Sequence, residues 1–321
     1  MLLFRPWLRM LTGIRTRRVQ HMSILTEPAV AAFLAGHRDH DPGPRPMAVF
    51  DCDGTVIQGD MGEAMFYRQI EQFHFRRSPA LVWPDHPRNG EIGRLYGELS
   101  ALGPAGRTKS PAFATFAEIL LSWYFDQIAS GAVVKACADI VRLFAGYTPE
   151  EARALARETF EAEFSSPVGT RRLGGRDVPR GARFIRESVD LLGALTERNF
   201  DIWVVSGSNK WSVEPVFRRF GIPLDRIIGI DLEVRDGLLT DRAETPLPIR
   251  AGKIDALRRR TLLVPLLAAS DSKNDIPLLL LAAELRVRIN SRKRDTEDFF
   301  RTAGTGPDGT WVLVESPHIM E

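Results

Sequence analysis

Cysteine is nearly absent from this chain, and its scarcity excludes several classes of protein. The only two, Cys52 and Cys137, cannot build a disulfide framework or a cysteine-based zinc site. No apolar run approaches the roughly 20 residues of a membrane-spanning helix, since the longest, at 276–283, has eight. The net charge is only +2, so the charge balance does not favour nucleic acid as a partner. What remains is a globular chain of 321 residues, long enough for one large domain or two ordinary ones.

The first 26 residues contain several arginines and no acidic side chain. This composition resembles a mitochondrial presequence or a membrane-surface helix, but it lacks the long apolar core of a secretory signal. We favour an extension ahead of an alternative start at Met22, and with it a cytoplasmic protein. Residues 1–45 are therefore predicted to be an N-terminal extension and linker, which ends in the Pro- and Gly-rich segment 41–46.

Strand-like and helix-like segments alternate over much of the chain. Short apolar runs that are typical of buried strands occur at 48–50, 202–205, 266–269 and 285–289. Helical patterns separate the later runs, and the alternation predicts an α/β fold, a Rossmann-like parallel sheet with helices on both faces. Residues 232–240, with Asp236-Gly237 at the centre, predict a β-hairpin.

A long helical segment interrupts this alternation after the first strand. Within it, Thr148-Pro-Glu-Glu151 predicts the capped start of a helix. The Gly-, Pro- and Arg-rich stretch that follows, including 171–180, is interpreted as a solvated loop, with contact to a substrate anion as the alternative. We predict a catalytic core formed by residues 46–58 and 185–321, with a helical cap at 59–184.

Polar side chains follow the predicted strands where ligands bind in such sheets, beyond the carboxyl ends. Asp51 and Asp53 follow the first strand one residue apart. Their charges repel unless a cation or a proton intervenes, which indicates a metal ion or acid chemistry, although Asp and Gly also form simple turns. Ser206 and Asp271 follow later strands. Carboxylates, a hydroxyl and a lysine at one edge are the groups that phosphoryl transfer requires.

Four segments resemble, in order, the four motifs of the haloacid dehalogenase superfamily. They are DCDGT at 51–55, VVSGS at 204–208, Lys253, and SDSKND at 270–275. The resemblance covers the predicted core, and the helical insert after the first motif is similar to the cap of the phosphoserine phosphatase-like branch. One departure is Ser270, which stands where the family usually has glycine and which we expect the loop to tolerate.

The resemblance implies a role for each matching residue. Asp51 would be the nucleophile and Asp53 the general acid/base. The phosphate would be bound by Thr55, Ser206, Gly207 and Lys253. The implied cofactor is Mg²⁺, held by Asp51, Asp53 through its backbone carbonyl, and Asp271, with support from Asn274 and Asp275. Because the dehalogenases lack an acid at the second position, Asp53 favours phosphate chemistry.

The cap offers two candidate contacts to the substrate, Asp60 and Glu63. By resemblance, an acidic residue at this place contacts a substrate ammonium, whereas the plain alternative is an acid favoured by a helix N-terminus. The cap is also rich in aromatic residues, which could enclose a quaternary ammonium or simply form the core of the cap. They are Phe66, Tyr67, Phe73, Phe75, Trp83, Trp123, Tyr124 and Phe125.

The sequence therefore predicts a Mg²⁺-dependent phosphomonoesterase with a small-molecule phosphate ester as substrate, possibly amine-bearing, and an aspartyl-phosphate intermediate. Nucleic acid is not an expected partner, and no membrane span is expected. A phosphotransferase or mutase would use the same residues, and a catalytically silent binding protein would keep the same fold. These two alternatives stay open.

Overall fold

The computed structural model describes residues 23–37, 45–289, 296–303 and 310–321. The arginine-rich first 22 residues and most of the linker at 41–46 lie outside these ranges, so the interpretations of both stay predictions. Residues 24–36, which belong to the predicted extension, are packed. Ile24 and Phe33 are buried, and the Phe33 ring centroid lies 5.8 Å from that of Phe200.

The described strands are β1 (Met47–Phe50), β2 (Ile57–Gln58), β3 (Gly169–Leu173), β4 (Arg176–Arg180), β5 (Arg183–Phe184), β6 (Asp201–Asn209), β7 (Ile227–Ile230), β8 (Leu232–Arg235), β9 (Leu238–Ala243), β10 (Leu267–Ser270), β11 (Leu285–Ile289) and β12 (Trp311–Val314). The described α-helices are α1 (Pro28–Gly36), α2 (Met61–Glu71), α3 (Pro79–Val82), α4 (Asn89–Ser100), α5 (Pro104–Arg107), α6 (Pro111–Ala129), α7 (Val133–Arg142), α8 (Pro149–Ser165), α9 (Arg186–Glu197), α10 (Lys210–Arg218), α11 (Gly252–Arg258), α12 (Ile276–Leu281) and α13 (Thr296–Ala303). Short 3₁₀ turns cover Ile24–Thr26, Leu224–Arg226 and Lys273–Asp275. Over the described ranges, none of the helices has the length and apolar character that crossing a membrane requires.

The main sheet has six strands in the order β12-β11-β10-β1-β6-β7. Its pairings include parallel β1 with β10, where Phe50 lies opposite Ala269, and parallel β6 with β7, where Val204 lies opposite Ile227. Every residue of β1, β10 and β12 is buried, as expected for strands of a parallel sheet that is covered on both faces. The predicted α/β fold with a parallel sheet is confirmed.

The density of internal contacts divides the chain into two units. Unit 1 consists of Met1–Gln58, Phe184–Trp203 and Thr261–Glu321 in their described parts, and unit 2 consists of Gly59–Arg183 and Val204–Arg260. The sequence places the start of the cap after residue 58 and its end after residue 184, within one residue of these divisions. Residues 204–260, which the sequence groups with the core, belong to unit 2 together with the helical segment.

A continuous apolar core holds unit 2 together. It extends from the helices of the cap segment to α10, where the ring centroids of Phe144 and Trp211 lie 5.5 Å apart. The predicted helix start is confirmed by a reciprocal cap at the first turn of α8. The Thr148 hydroxyl accepts a hydrogen bond from the Glu151 N–H (3.1 Å), and the Glu151 carboxylate accepts one from the Thr148 N–H (2.9 Å).

The predicted hairpin at 232–240 is confirmed as the antiparallel pair β8 and β9. Asp236 and Gly237 both have positive φ, +52° and +78°, as a two-residue hairpin turn requires. The edge of β9 is covered, because the Leu239 N–H donates to the Tyr147 carbonyl (2.7 Å) and the Gly146 N–H donates to the Leu239 carbonyl (2.8 Å). The hairpin is therefore tied into unit 2 by backbone hydrogen bonds.

A second hairpin corrects the prediction of a solvated loop at 171–180. Strands β3 and β4 pair antiparallel around Gly174-Gly175. Arg171 forms an ion pair with Glu163 (2.9 Å), and Arg176 forms one with Glu118 (3.0 Å). These two arginines are bound within unit 2, which argues against the alternative that they contact a substrate anion. The composition led to the wrong prediction because two adjacent glycines occur in hairpin turns as well as in loops.

We expect Gly174→Ala to destabilise unit 2. A Cβ at this position would lie 2.6 Å from the Ala117 Cβ and 2.7 Å from the Glu118 backbone nitrogen, and φ is +52°. Steric overlap and backbone strain together should lower the free energy of unfolding by about 2 kcal/mol or more, as measured by urea denaturation. The matched control is Gly193→Ala, in helix α9 with open space around it; it should raise the free energy of unfolding by up to about 1 kcal/mol. Equal effects at the two positions would contradict the close approach at Gly174.

Candidate active site

The predicted site residues fall into two sets, one in each unit. Those of unit 1 lie on two loops, Asp51–Thr55 after β1 and Ser270–Asp275 at the end of β10. Unit 2 contains the remaining ones, which are Asp60, Glu63, Ser206, Gly207 and Lys253.

The loop after β1 is a tight turn that its own backbone stabilises. The Cys52 carbonyl accepts a hydrogen bond from the Val56 N–H (2.8 Å). The Asp51 N–H continues the sheet by donating to the Ala269 carbonyl of β10 (2.9 Å), and Asp51 is only 6% exposed. The candidate nucleophile is therefore fixed to the end of a buried strand.

Gly54 brings the two loops of unit 1 into direct contact. Its φ is +75°, and a Cβ built on it would lie 2.5 Å from Asp271 Oδ2 and 2.7 Å from Asp271 Cγ. No side chain fits in that space, so the Asp271 carboxylate packs against the backbone of the first motif. The predicted proximity of the DCDGT segment and Asp271 is thus present within unit 1.

Thr55, in the loop after β1, carries a buried hydroxyl. It is fully buried, and its Oγ1 has no hydrogen-bond partner among the described residues, a costly state for a buried polar atom. The Thr55 carbonyl accepts a hydrogen bond from the Ser188 hydroxyl at 2.6 Å. Ser188 was missed by the sequence reasoning, because a single serine inside an amphipathic helix gives no signal of a distant partner.

Ser270 stabilises the second loop of unit 1. Its hydroxyl donates to Asp275 Oδ2 at 2.6 Å and accepts from the Ser272 N–H at 3.3 Å. Ser270 is fully buried and Asp275 is 2% exposed. The residue that replaces the usual glycine is therefore accommodated, and its hydroxyl holds the Asp275 carboxylate in place.

In unit 2, the serine segment Ser206–Ser208 lies against the start of α2. The Ser206 hydroxyl accepts a hydrogen bond from the Ser208 N–H at 3.1 Å. A Cβ on Gly62 would lie 2.6 Å from Ser208 Oγ and 2.9 Å from Ser208 Cβ, so any larger residue would displace the Ser208 side chain. The Asp60 carboxylate accepts from the Glu63 N–H at 2.8 Å and caps α2, which supplies the plain role that the sequence left open for it.

Lys253 is buried in the first turn of α11, with 3% of its surface exposed. The preceding residue, Gly252, packs so closely on the Leu247 carbonyl that a Cβ there would overlap with it. In the same part of unit 2, a Cβ on Gly207 would lie at an ordinary 3.5 Å from Ile249. Glycine is therefore a steric requirement at 252, next to Lys253, whereas at 207 the space would allow a Cβ.

Glu63 is held by two tyrosines of unit 2. Its carboxylate accepts hydrogen bonds from the Tyr67 hydroxyl (2.8 Å) and the Tyr124 hydroxyl (2.7 Å), one on each oxygen. Burial, followed by the Glu63 charge, raises the pKa of both Tyr67 and Tyr124 well above the usual range. Both phenols therefore stay protonated and keep donating. The Phe66 ring lies 5.9 Å from Tyr67 and 5.6 Å from Tyr124, centroid to centroid.

Most of the aromatic residues singled out in the cap belong to the core of unit 2. Trp123 and Phe125 are partly buried and pack against that core, and the other six are buried in it. The core interpretation therefore accounts for the set as a whole. Two acidic groups of the unit accept hydrogen bonds from members of this set, Glu63 from its two tyrosines and Asp139 from the Trp123 indole (3.0 Å).

The described residues contain no group of three or more His, Cys, Asp or Glu side chains arranged to hold a metal ion. Mg²⁺ does not require one, because it is bound by one or two carboxylates and completes its octahedron with carbonyl oxygens, waters and phosphate. The first motif supplies such hard oxygen donors, and the approach of Gly54 to Asp271 adds another carboxylate. This donor set fits Mg²⁺.

Residues 48–280 match the family of haloacid dehalogenase-like hydrolases, and the chain belongs to that family. A protein of unknown function from Anaerococcus prevotii DSM 20548 is similar in structure, with a TM-score of 0.70 at 16% identity over 90% of this chain and 95% of that one. A protein of unknown function from Bordetella pertussis Tohama I gives 0.45 at 18% identity, over 85% and 99% of the two chains. A phospho-aspartyl intermediate analogue of phosphoserine phosphatase gives 0.39 at 14% identity, over 86% and 95%. No curated protein matches the chain.

We expect Ser270→Ala to lower stability measurably. It removes a hydroxyl that donates to a buried carboxylate, and a hydrogen bond to a charged group contributes about 1.5–3 kcal/mol. The free energy of unfolding, measured in urea, should fall by about that amount. In the control, Ser165→Ala, the hydroxyl is exposed and bonds only to helix carbonyls, so the change should stay within about 0.5 kcal/mol. A loss no larger than that of the control would show that Ser270 does not stabilise Asp275.

Proposed function

We propose that the chain is a Mg²⁺-dependent phosphomonoesterase that acts on a small phosphorylated metabolite through an aspartyl-phosphate. The observation that carries the proposal is the contact between the first motif and Asp271, which brings the Asp271 carboxylate to the backbone of the loop that carries Asp51 and Asp53. Membership of the haloacid dehalogenase-like hydrolases supports the hydrolytic reaction type.

In the proposed reaction, an Asp51 carboxylate oxygen attacks phosphorus. The bond to the leaving-group oxygen breaks, and Asp53 gives that oxygen a proton. Water then attacks the phosphorus of the phosphorylated Asp51, and Asp53 takes a proton from it. Inorganic phosphate leaves, and Asp51 and Asp53 regain their starting states. The burial of Asp51 at the end of β1 supports its role, because a fixed nucleophile loses little entropy on attack.

The phosphate is assigned to four residues by their motif positions, Thr55, Ser206, Gly207 and Lys253. The Thr55 hydroxyl supports this assignment best, since it is buried and has no partner among the described residues. Ser206 and Gly207 would donate hydrogen bonds, and the Lys253 ammonium would offset the charge of the phosphoryl oxygens.

The residues that would hold Mg²⁺ are Asp51, Asp271 and the backbone carbonyl of Asp53, with Asn274 and Asp275 in support. When bound, the ion supplies positive charge that offsets the repulsion between carboxylates and phosphate. Asp275 is kept in position by Ser270 at 2.6 Å, which supports a structural contribution of the second loop to the site.

The environment of Glu63 favours an amine-bearing substrate, of the phosphoserine, phosphocholine or phosphoethanolamine type. Two tyrosine hydroxyls orient its carboxylate, and aromatic rings flank it, a combination that attracts organic cations. Asp60 caps α2 through its carboxylate. We therefore assign the ammonium contact to Glu63 and a positioning role to Asp60.

Asp51→Asn should abolish phosphate release, by about 10⁴-fold or more, because an amide cannot act as the nucleophile. The measurement is release of inorganic phosphate from a panel of phosphomonoesters in Mg²⁺ and in EDTA, with an exposed-site control, Asp225→Asn. The control should match the wild type, and the melting temperature of Asp51→Asn should stay close to that of the wild type. Retained turnover in Asp51→Asn would remove Asp51 as the nucleophile. If the wild type releases phosphate from no ester, a phosphotransferase or a catalytically silent binding protein becomes the better hypothesis.

Glu63→Gln should lower kcat/KM for amine-bearing phosphomonoesters by about tenfold, the equivalent of about 1.4 kcal/mol of lost attraction. A plain aryl phosphate, which carries no cation, should be hydrolysed at the wild-type rate. The control is Glu98→Gln, an exposed glutamate of α4 that pairs only with Arg94. An equal loss on the aryl phosphate would show that Glu63 acts through the structure of the site and does not contact an ammonium.

A further inference from the structure

A cavity of about 400 Å³ opens in unit 2 between helices α8 and α10. Its lining includes Arg153, Arg157, Arg218 and Arg219 together with Phe160 and Trp211. None of these residues takes part in the proposed phosphatase chemistry. We propose that this cavity is a second binding site, which takes a small dianion.

The charges of the lining point to an anion. Four arginines face two glutamates, Glu161 and Glu214, which leaves a net charge of +2. Arg153 already pairs with buried Glu214 at 3.0 Å. The guanidinium groups of Arg157 and Arg218, both exposed, have no hydrogen-bond or ion-pair partner in the part of the chain that the structure describes. Two guanidinium groups are thus available to bind carboxylate or phosphate oxygens in the bidentate manner that arginine favours.

The remaining walls restrict the size and shape of the ligand. Phe160 and Trp211 are buried and form apolar surface, and the Arg219 guanidinium lies 5.5 Å from the centroid of the Phe160 ring. That contact holds Arg219 over an aromatic face while its N–H edge can still donate. A volume of about 400 Å³ suits a molecule of metabolite size. Two acidic groups on a short carbon chain, or one phosphate, would satisfy both the charge and the space.

The cavity shares a helix with the serine segment. Helix α10 begins at Lys210, two residues after Ser208, and the Asn209 side chain between them caps it by accepting from the Ser212 N–H (2.8 Å). The same helix packs on α8 and on α2, which carries Asp60 and Glu63. A ligand between α8 and α10 would therefore contact the helix that follows motif two directly.

The test is isothermal titration of the full chain, at low ionic strength, with succinate and separately with inorganic phosphate. The variant is Arg157→Gln/Arg218→Gln, and the matched control is Arg235→Gln/Arg242→Gln, which removes two exposed arginines from the β8–β9 hairpin of the same unit. Phosphate is also titrated into Ser206→Ala, which separates the cavity from the proposed substrate site. Melting temperatures of the two double variants should match the wild type, because the substituted arginines are exposed.

We expect at least one probe to bind the wild type at millimolar concentration or below. Binding should weaken by about tenfold or more in Arg157→Gln/Arg218→Gln and by less than about twofold in the control. Phosphate that binds in the cavity should bind Ser206→Ala as it binds the wild type. If the affinity for the probes falls equally in the two double variants, binding depends only on the overall positive charge of the protein, and the proposal is overturned. The absence of binding by both probes would also overturn it, as would phosphate binding that is lost only in Ser206→Ala.

Discussion

The site of unit 1 depends on one steric constraint, the packing of the Asp271 carboxylate against the backbone of Gly54. The register of the sheet makes this contact possible. Phe50 lies opposite Ala269, so β1 and β10 end within one residue of each other and their following loops start side by side. The remaining space is too small for any side chain, and φ of +75° also favours glycine at this position. Repulsion between the carboxylates of these loops is the physical reason to expect a cation there.

Around this contact, buried hydroxyls set the positions of groups that would otherwise be mobile. The Ser188 hydroxyl holds the Thr55 carbonyl, and the Ser270 hydroxyl holds the Asp275 carboxylate, both at 2.6 Å. Neither serine would touch a substrate in the reaction proposed here. Their contribution is to keep the loops in one conformation, which matters because small displacements of catalytic groups reduce rates strongly.

Unit 2 repeats the use of glycine for close approach. Because Gly62 has no Cβ, Ser208 packs closely on the start of α2. In the same way, Gly252 allows the Leu247 carbonyl to approach the turn before Lys253. The apolar core then fixes the helices that carry the polar groups. Tyr67 and Tyr124 are part of that core, and their hydroxyls reach out of it to orient Glu63. In this unit the same aromatic residues therefore serve both the packing of the core and the orientation of Glu63.

The fold class could be predicted from the sequence, and the motifs indicated which groups are candidates for catalysis. Buried strands of four apolar residues, the capping box at Thr148 and the Asp236-Gly237 turn are local signals, and local backbone chemistry decides them. Acidic residues directly after β1 and β10 indicated a shared edge, since parallel strands end on the same side of a sheet. The hairpin at 169–180 escaped prediction because its pairing depends on a turn that packs against α6. The partner of each polar group depends on how the chain folds, as with Ser188 and Thr55, Ser270 and Asp275, or Glu63 and its two tyrosines. These contacts join residues on separate segments or turns, and no periodicity along the chain records them.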